Sequence, residues 1–126
     1  MSLLTIDGFN VMTIYASNLE ESVAFYRDII GFEKIRDMEP GVLMQSKAAE
    51  LMVYLEGGRE KRQAAGLQYT QTCFCLSVAG GVKPALEAVK GKNLEVVLEY
   101  GDMASEFAGF QITDPDGNIV EIAGRP

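Results

Sequence analysis

The chain has no histidine and no tryptophan, only two cysteines, and 11 Lys and Arg against 18 Asp and Glu. Without an imidazole, any base, proton shuttle or metal ligand must be another side chain. The two cysteines, Cys73 and Cys75, are separated by one residue. In a strand they share a face and do not suit a disulfide, so a secreted disulfide framework is excluded. Two free thiols fit a reducing compartment, and the expectation is a cytoplasmic protein. The net charge of −7 opposes nucleic acid as a partner, because phosphates must be met by clustered Lys and Arg. Only Arg59-Glu60-Lys61-Arg62 is locally basic, and it reads as a solvated loop. No apolar run approaches the roughly 18 residues of a membrane helix. The N-terminus also lacks the basic-then-apolar order of a secretory signal. Gly57-Gly58 has neither the strand–loop–helix context nor the lysine of a phosphate loop.

What is present describes one folded unit. A chain of 126 residues is the usual size of a single domain, and its 48% hydrophobic and 23% charged residues exclude a disordered or fibrous protein. Alternation predicts a strand over Phe9–Ala16, with Val11, Thr13 and Tyr15 on one face and Met12, Ile14 and Ala16 on the other. Asn18 is placed to cap a helix, with Glu21 reaching back to it. Leu19, Val23, Tyr26 and Ile30 form that helix's apolar stripe, and Gly31 ends it. Strands follow at Phe32–Asp37, Val42–Gln45 and Leu51–Leu55, with a turn at Glu39-Pro40-Gly41. From Gly57 to Gln68 periodicity stops.

The pattern then repeats. Thr72–Val78 reads as a strand, Val82, Ala85, Leu86 and Val89 line a second helix stopped by Gly91, and strands follow at Leu94–Leu98, Phe107–Thr113 and Ile119–Ala123. Strand, helix and three strands thus occur twice, as module 1 over residues 5–56 and module 2 over 70–126, joined by a linker at about 57–69. The fold class is α+β, with tandem βαβββ modules whose curved mixed sheets enclose a cleft.

The last hairpin carries the strongest local signal. Asp114 opens a tight turn, Pro115 presets φ, Gly117 relieves the exit, and apolar residues supply a strand on each side. Glu121 interrupts the second strand between Val120 and Ile122. It either points into water or is a carboxylate placed on the concave face of a sheet. In an apolar pocket, desolvation would raise its pKa and make it a proton carrier or a cation partner. Asp114 and Asp116 read as shaping the turn.

Two stretches resemble the vicinal-oxygen-chelate superfamily, which includes glyoxalase I, bleomycin-resistance proteins, fosfomycin-resistance enzymes and extradiol dioxygenases. The first is Tyr15-Ala16-Ser17-Asn18-Leu19-Glu20-Glu21-Ser22-Val23-Ala24-Phe25-Tyr26 with Ile30-Gly31-Phe32, similar to the family's strand, loop and helix. The second is Asp114-Pro115-Asp116-Gly117-Asn118 with Glu121, similar to its terminal hairpin. The resemblance implies four ligand positions in metal-dependent members. Carried over, they fall on Val11, on Leu51 or (with a one-residue shift) Glu50, on Cys73, and on Glu121.

Val11 and Leu51 carry no donor atom, so no cofactor is expected. A divalent metal, if bound, would have to use Glu121, Cys73 and Glu50. Residues expected to line a ligand cleft are Val11, Thr13, Tyr15, Leu51, Val53, Cys73, Cys75, Phe107 and Glu121. Cys73 and Cys75 also read as small buried core residues, because no histidine is present to activate a thiol. Tyr54 falls on the opposite face from Val53, and Tyr69, Tyr100 and Phe110 add aromatic area. The leading expectation is a metal-independent small-molecule binder of the bleomycin-resistance type. Its ligand would be cationic or aromatic, and the resemblance implies a homodimer. The rival is a lyase, isomerase or dioxygenase with Glu121 as the catalytic residue, either in an incomplete metal site with Cys73 or Glu50 or as a metal-free general base. A third reading is a non-catalytic dimeric structural domain.

Overall fold

The computed structural model describes residues 2–3, 5, 10–58 and 73–126. Phe9, Tyr69, the basic stretch 59–62 and most of the linker fall outside them. Module 1 runs β1 (Met12–Tyr15), α1 (Leu19–Ala24), a π-helical turn (Phe25–Ile29), β2 (Glu33–Met38), β3 (Gly41–Ser46) and β4 (Leu51–Glu56). Module 2 runs β5 (Cys73–Leu76), α2 (Val82–Gly91), β6 (Val96–Gly101), β7 (Ala108–Thr113) and β8 (Ile119–Gly124). Each module forms one four-stranded mixed sheet, ordered β1-β4-β3-β2 and β5-β8-β7-β6, so the internal repeat holds strand for strand. In each sheet the first strand lies parallel to the last, while the last three form an antiparallel meander. Among the described residues no helix is long and apolar enough to cross a membrane.

The first helix starts as its sequence dictates, with the Asn18 side chain accepting from the Glu21 amide at 3.1 Å. It then widens, Ile30 N–H reaching back to the Phe25 carbonyl at 3.2 Å. The widened turn buries Phe25 and Tyr26 side by side, their rings edge to face at 5.1 Å. Apolar spacing does not distinguish such a turn from continued α-helix. In α2 the helix runs through Gly91, and the left-handed residue beyond it is Asn93, at φ 57°. Its N-terminus has no side-chain cap. Instead Val82 and Lys83 donate to the carbonyls of Arg125 and Pro126, at 2.8 and 3.2 Å.

The helices cover one face of each sheet, where Ile14, Met44, Val53, Leu55, Phe110, Ile112 and Val120 join Tyr26, Phe32, Val82 and Leu86 in one buried core. Val53 belongs here, completely buried, and Leu51 packs against the same cluster, so neither lines the other face as alternation suggested. The reason is register. β4 sets Val53 beside Met12 and Tyr54 beside Thr13, and alternation within a strand does not give its phase against a neighbour.

The two stretches most characteristic of the sequence meet in space. Tyr26 Oη donates to Asp114 Oδ2 at 2.9 Å across a separation of 88 residues. The Ser17 amide and hydroxyl donate to the Asp116 carboxylate at 3.0 and 2.5 Å. Asp114 also accepts from the Asp116 amide, the Asn118 amide and Asn118 Nδ2, at 2.9, 2.9 and 2.8 Å. Burial holds Asp114 above the ordinary carboxylate range, and these donors offset only part of that rise. Burial and the adjacent Asp114 hold Tyr26 well above its ordinary value, so it stays a hydroxyl donor. The aspartates therefore shape the turn and also tie the modules together.

Candidate functional site: the open face of the second sheet

Opposite α2, the hairpin register sets Gln111 across from Glu121, and the parallel pairing sets Cys75 on its other side. The next strand out places Tyr100 across from Gly109 and Leu98 across from Gln111. These side chains converge on one carboxylate. Gln111 Nε2 donates to Glu121 Oε1 at 2.5 Å and Tyr100 Oη donates to Oε2 at 2.9 Å, with the Cys75 thiol beside them on the neighbouring strand. Phe107, 55% exposed, leans on Tyr100 with ring centroids 6.2 Å apart, and Leu98 is 47% exposed nearby on the sheet.

Gly109 makes this arrangement possible. A Cβ there would lie 2.8 Å from Tyr100 Cε1 and closer still to Cζ and Oη, so the phenol ring rests on bare backbone.

The electrostatics reverse the sequence expectation. Glu121 is only partly buried, and the Gln111 hydrogen bond, helped by Tyr100 and Cys75, outweighs desolvation and holds its pKa below the ordinary 4.5. Ionised Glu121 therefore stabilises the fold fully above about pH 4.5, and that contribution is lost as pH falls through its lowered value. Tyr100→Phe is expected to move the Glu121 titration upward, as followed by the carboxyl carbon's NMR shift. An unchanged midpoint would contradict the hydrogen-bond account.

Of the expected cleft residues, Cys75 and Glu121 are brought together, and Phe107 joins them through Tyr100. Cys75 is exposed, not a core residue, because the core takes the other face of β5 through Phe74 and Leu76. Cys73 lies on β5 opposite Ile119, and its side chain is outside the described set. Thr13 and Tyr15 occupy the corresponding open face of the first sheet beside Tyr54 and Glu56, with Val11 just before the strand. Gln111 and Tyr100 were not anticipated. Counting back from the Asp114 turn would have paired Gln111 with Glu121, whereas Tyr100 depends on where β6 starts.

Among the described residues, the positions implied for a metal do not assemble into a donor set. Leu51 faces the core, and Glu50 sits exposed on the preceding turn in a left-handed conformation, φ 53°. Glu121 already accepts hydrogen bonds from Gln111 and Tyr100, and among the described residues no three His, Cys, Asp or Glu are grouped for an ion. A separate open groove of about 460 Å³ lies on the helix side, lined by Leu19, Glu20, Val23, Ala24, Arg27, Lys34 and Val42. Its two cations are engaged, Arg27 with Asp28 and Lys34 with Asp37, each at 2.8 Å.

Residues 8–122 match the family described as the Glyoxalase/Bleomycin resistance protein/Dioxygenase superfamily. The chain belongs to this superfamily. Solved structures agree on the fold. An integron cassette protein from the mobile metagenome of the Halifax Harbour sewage outfall is 23% identical, with 94% of this chain and 99% of that one covered at a TM-score of 0.71. Lactoylglutathione lyase from Agrobacterium tumefaciens is 21% identical over 94% of each chain, also at 0.71. The genomically encoded fosfomycin resistance protein FosX from Listeria monocytogenes is 19% identical over 94% of this chain and 93% of that one, again at 0.71. At these identities the likeness is one of fold, which hosts several chemistries. No curated protein matches the chain in sequence.

Proposed function

We propose that this superfamily member binds a small molecule on the open face of the second sheet without a metal ion, Glu121 being its polar anchor. The observation that supports this is the Glu121 carboxylate, held ionised by Gln111, Tyr100 and Cys75 next to the exposed Phe107 and Leu98. An apolar surface around one oriented polar group is the usual composition of a ligand site. A general base works best with a pKa near the working pH, and a carboxylate held below 4.5 is poorly matched to that role. The chain acts as a homodimer in this reading, through the first sheet, where Tyr15 and Met52 leave apolar area exposed.

The test is a thermal-shift screen of small aromatic and cationic compounds against the unmodified chain and Glu121→Gln. A ligand present at about a hundred times its Kd should stabilise the unmodified chain by about 2.7 kcal/mol. The variant should respond less to the same compound. Equal responses, or a footprint on the groove beside α1, would overturn the assignment.

A further inference from the structure

We propose that the ligand of this face is an organic ammonium ion with an aromatic or alkyl body, and that the site prefers such a single-donor cation to a forked guanidinium. This rests on the reading of the Glu121 face as the ligand site and names the class it takes. An ionised carboxylate offers about four acceptor directions. Gln111 occupies one on Oε1 and Tyr100 one on Oε2. Each oxygen thus already holds one donor, and a single further N–H can join either without moving Gln111 or Tyr100.

A guanidinium binds a carboxylate through two parallel N–H groups and needs both oxygens open along one edge. Here each oxygen of the carboxylate already carries a donor, Gln111 on Oε1 and Tyr100 on Oε2, which crowds a forked approach. Among the described residues no Lys or Arg pairs with Glu121, and the donors described on it are neutral. The exposed ring of Phe107, in contact with Tyr100, offers an aromatic surface beside that charge, and a cation over such a ring is attracted by its quadrupole.

The experiment is a titration of the full chain, followed by NMR, with benzylammonium, benzyl alcohol and benzylguanidinium as probes. Benzylammonium should bind about tenfold or more tighter than the equally sized neutral alcohol, the size of effect a hydrogen bond to a charged group gives. Benzylguanidinium should bind no tighter than benzylammonium, and should gain affinity in Gln111→Ala, where Oε1 is opened. Glu121→Gln should remove the preference for the ammonium while leaving the alcohol's weak binding. The selectivity in the unmodified chain stands without either variant.

If the alcohol binds as tightly as the ammonium while shifting Glu121, Tyr100 and Phe107, the ligand class is overturned and the site stands. A guanidinium that binds tighter in the unmodified chain overturns the single-donor geometry. If no probe shifts those three residues, the reading of the face itself fails.

Discussion

Asp114→Ala should cost about 3–5 kcal/mol of folding stability, read from urea unfolding midpoints, because it strands several buried donors at once. Asp114 is 4% exposed and accepts from the Asp116 and Asn118 amides, from Asn118 Nδ2 and from Tyr26 Oη. Removing the carboxylate leaves Asn118 and Tyr26, both completely buried, with donors that water cannot easily reach. The turn itself loses its internal scaffold, since the Asp114 side chain holds the amides two and four residues on. Tyr26→Phe removes one of the four bonds and should cost about 1–2 kcal/mol. Because the pair acts as one unit, the double variant should lose less than the two single losses added together. A loss below about 1 kcal/mol for Asp114→Ala would mean that the junction between the modules is held by apolar packing alone.

Gly109→Ala should disable the Glu121 face without removing any polar side chain from it. The new methyl would collide with the Tyr100 ring, whose Cε1 lies 2.8 Å from the position a Cβ must take. The ring has to lift off the sheet, and its hydroxyl then leaves Glu121 Oε2. Two readouts should move together: the Glu121 titration should rise to about where Tyr100→Phe puts it, and the tenfold preference for benzylammonium should fall severalfold. Overpacking of this kind costs about 1–3 kcal/mol, so the thermal midpoint should fall as well. Tyr100→Phe serves as the control, since it loses the hydrogen bond without the collision. If Gly109→Ala leaves the Glu121 titration unchanged, the ring's close seat on bare backbone is not what orients the hydroxyl.

The architecture was legible in the order of its local signals. The Asn18 cap, the alternation of Ile14 and Ala16 against Thr13 and Tyr15, and the Asp114–Asn118 turn are each decided by neighbours within a few residues. Their repetition along the chain was enough to give two βαβββ modules, and the two terminal stretches pointed to the superfamily that residues 8–122 match. The phase of β4 was not legible, and it placed Val53 and Leu51 on the wrong side. The widening of the first helix was hidden too, because apolar residues at Phe25, Tyr26, Ile29 and Ile30 satisfy both α and π spacing.

The sequence by itself determined the kinds of element, their order, their turns and the prominence of Glu121, because caps, alternation and turn chemistry act over a few residues. Only the tertiary structure decided what surrounds Glu121. Gln111, Tyr100 and Cys75 lie on three other strands, and their convergence depends on pairing register and on the space above Gly109. That convergence reversed the direction of the Glu121 pKa, since the Gln111 hydrogen bond, helped by Tyr100, outweighs the desolvation that an apolar strand alone would suggest.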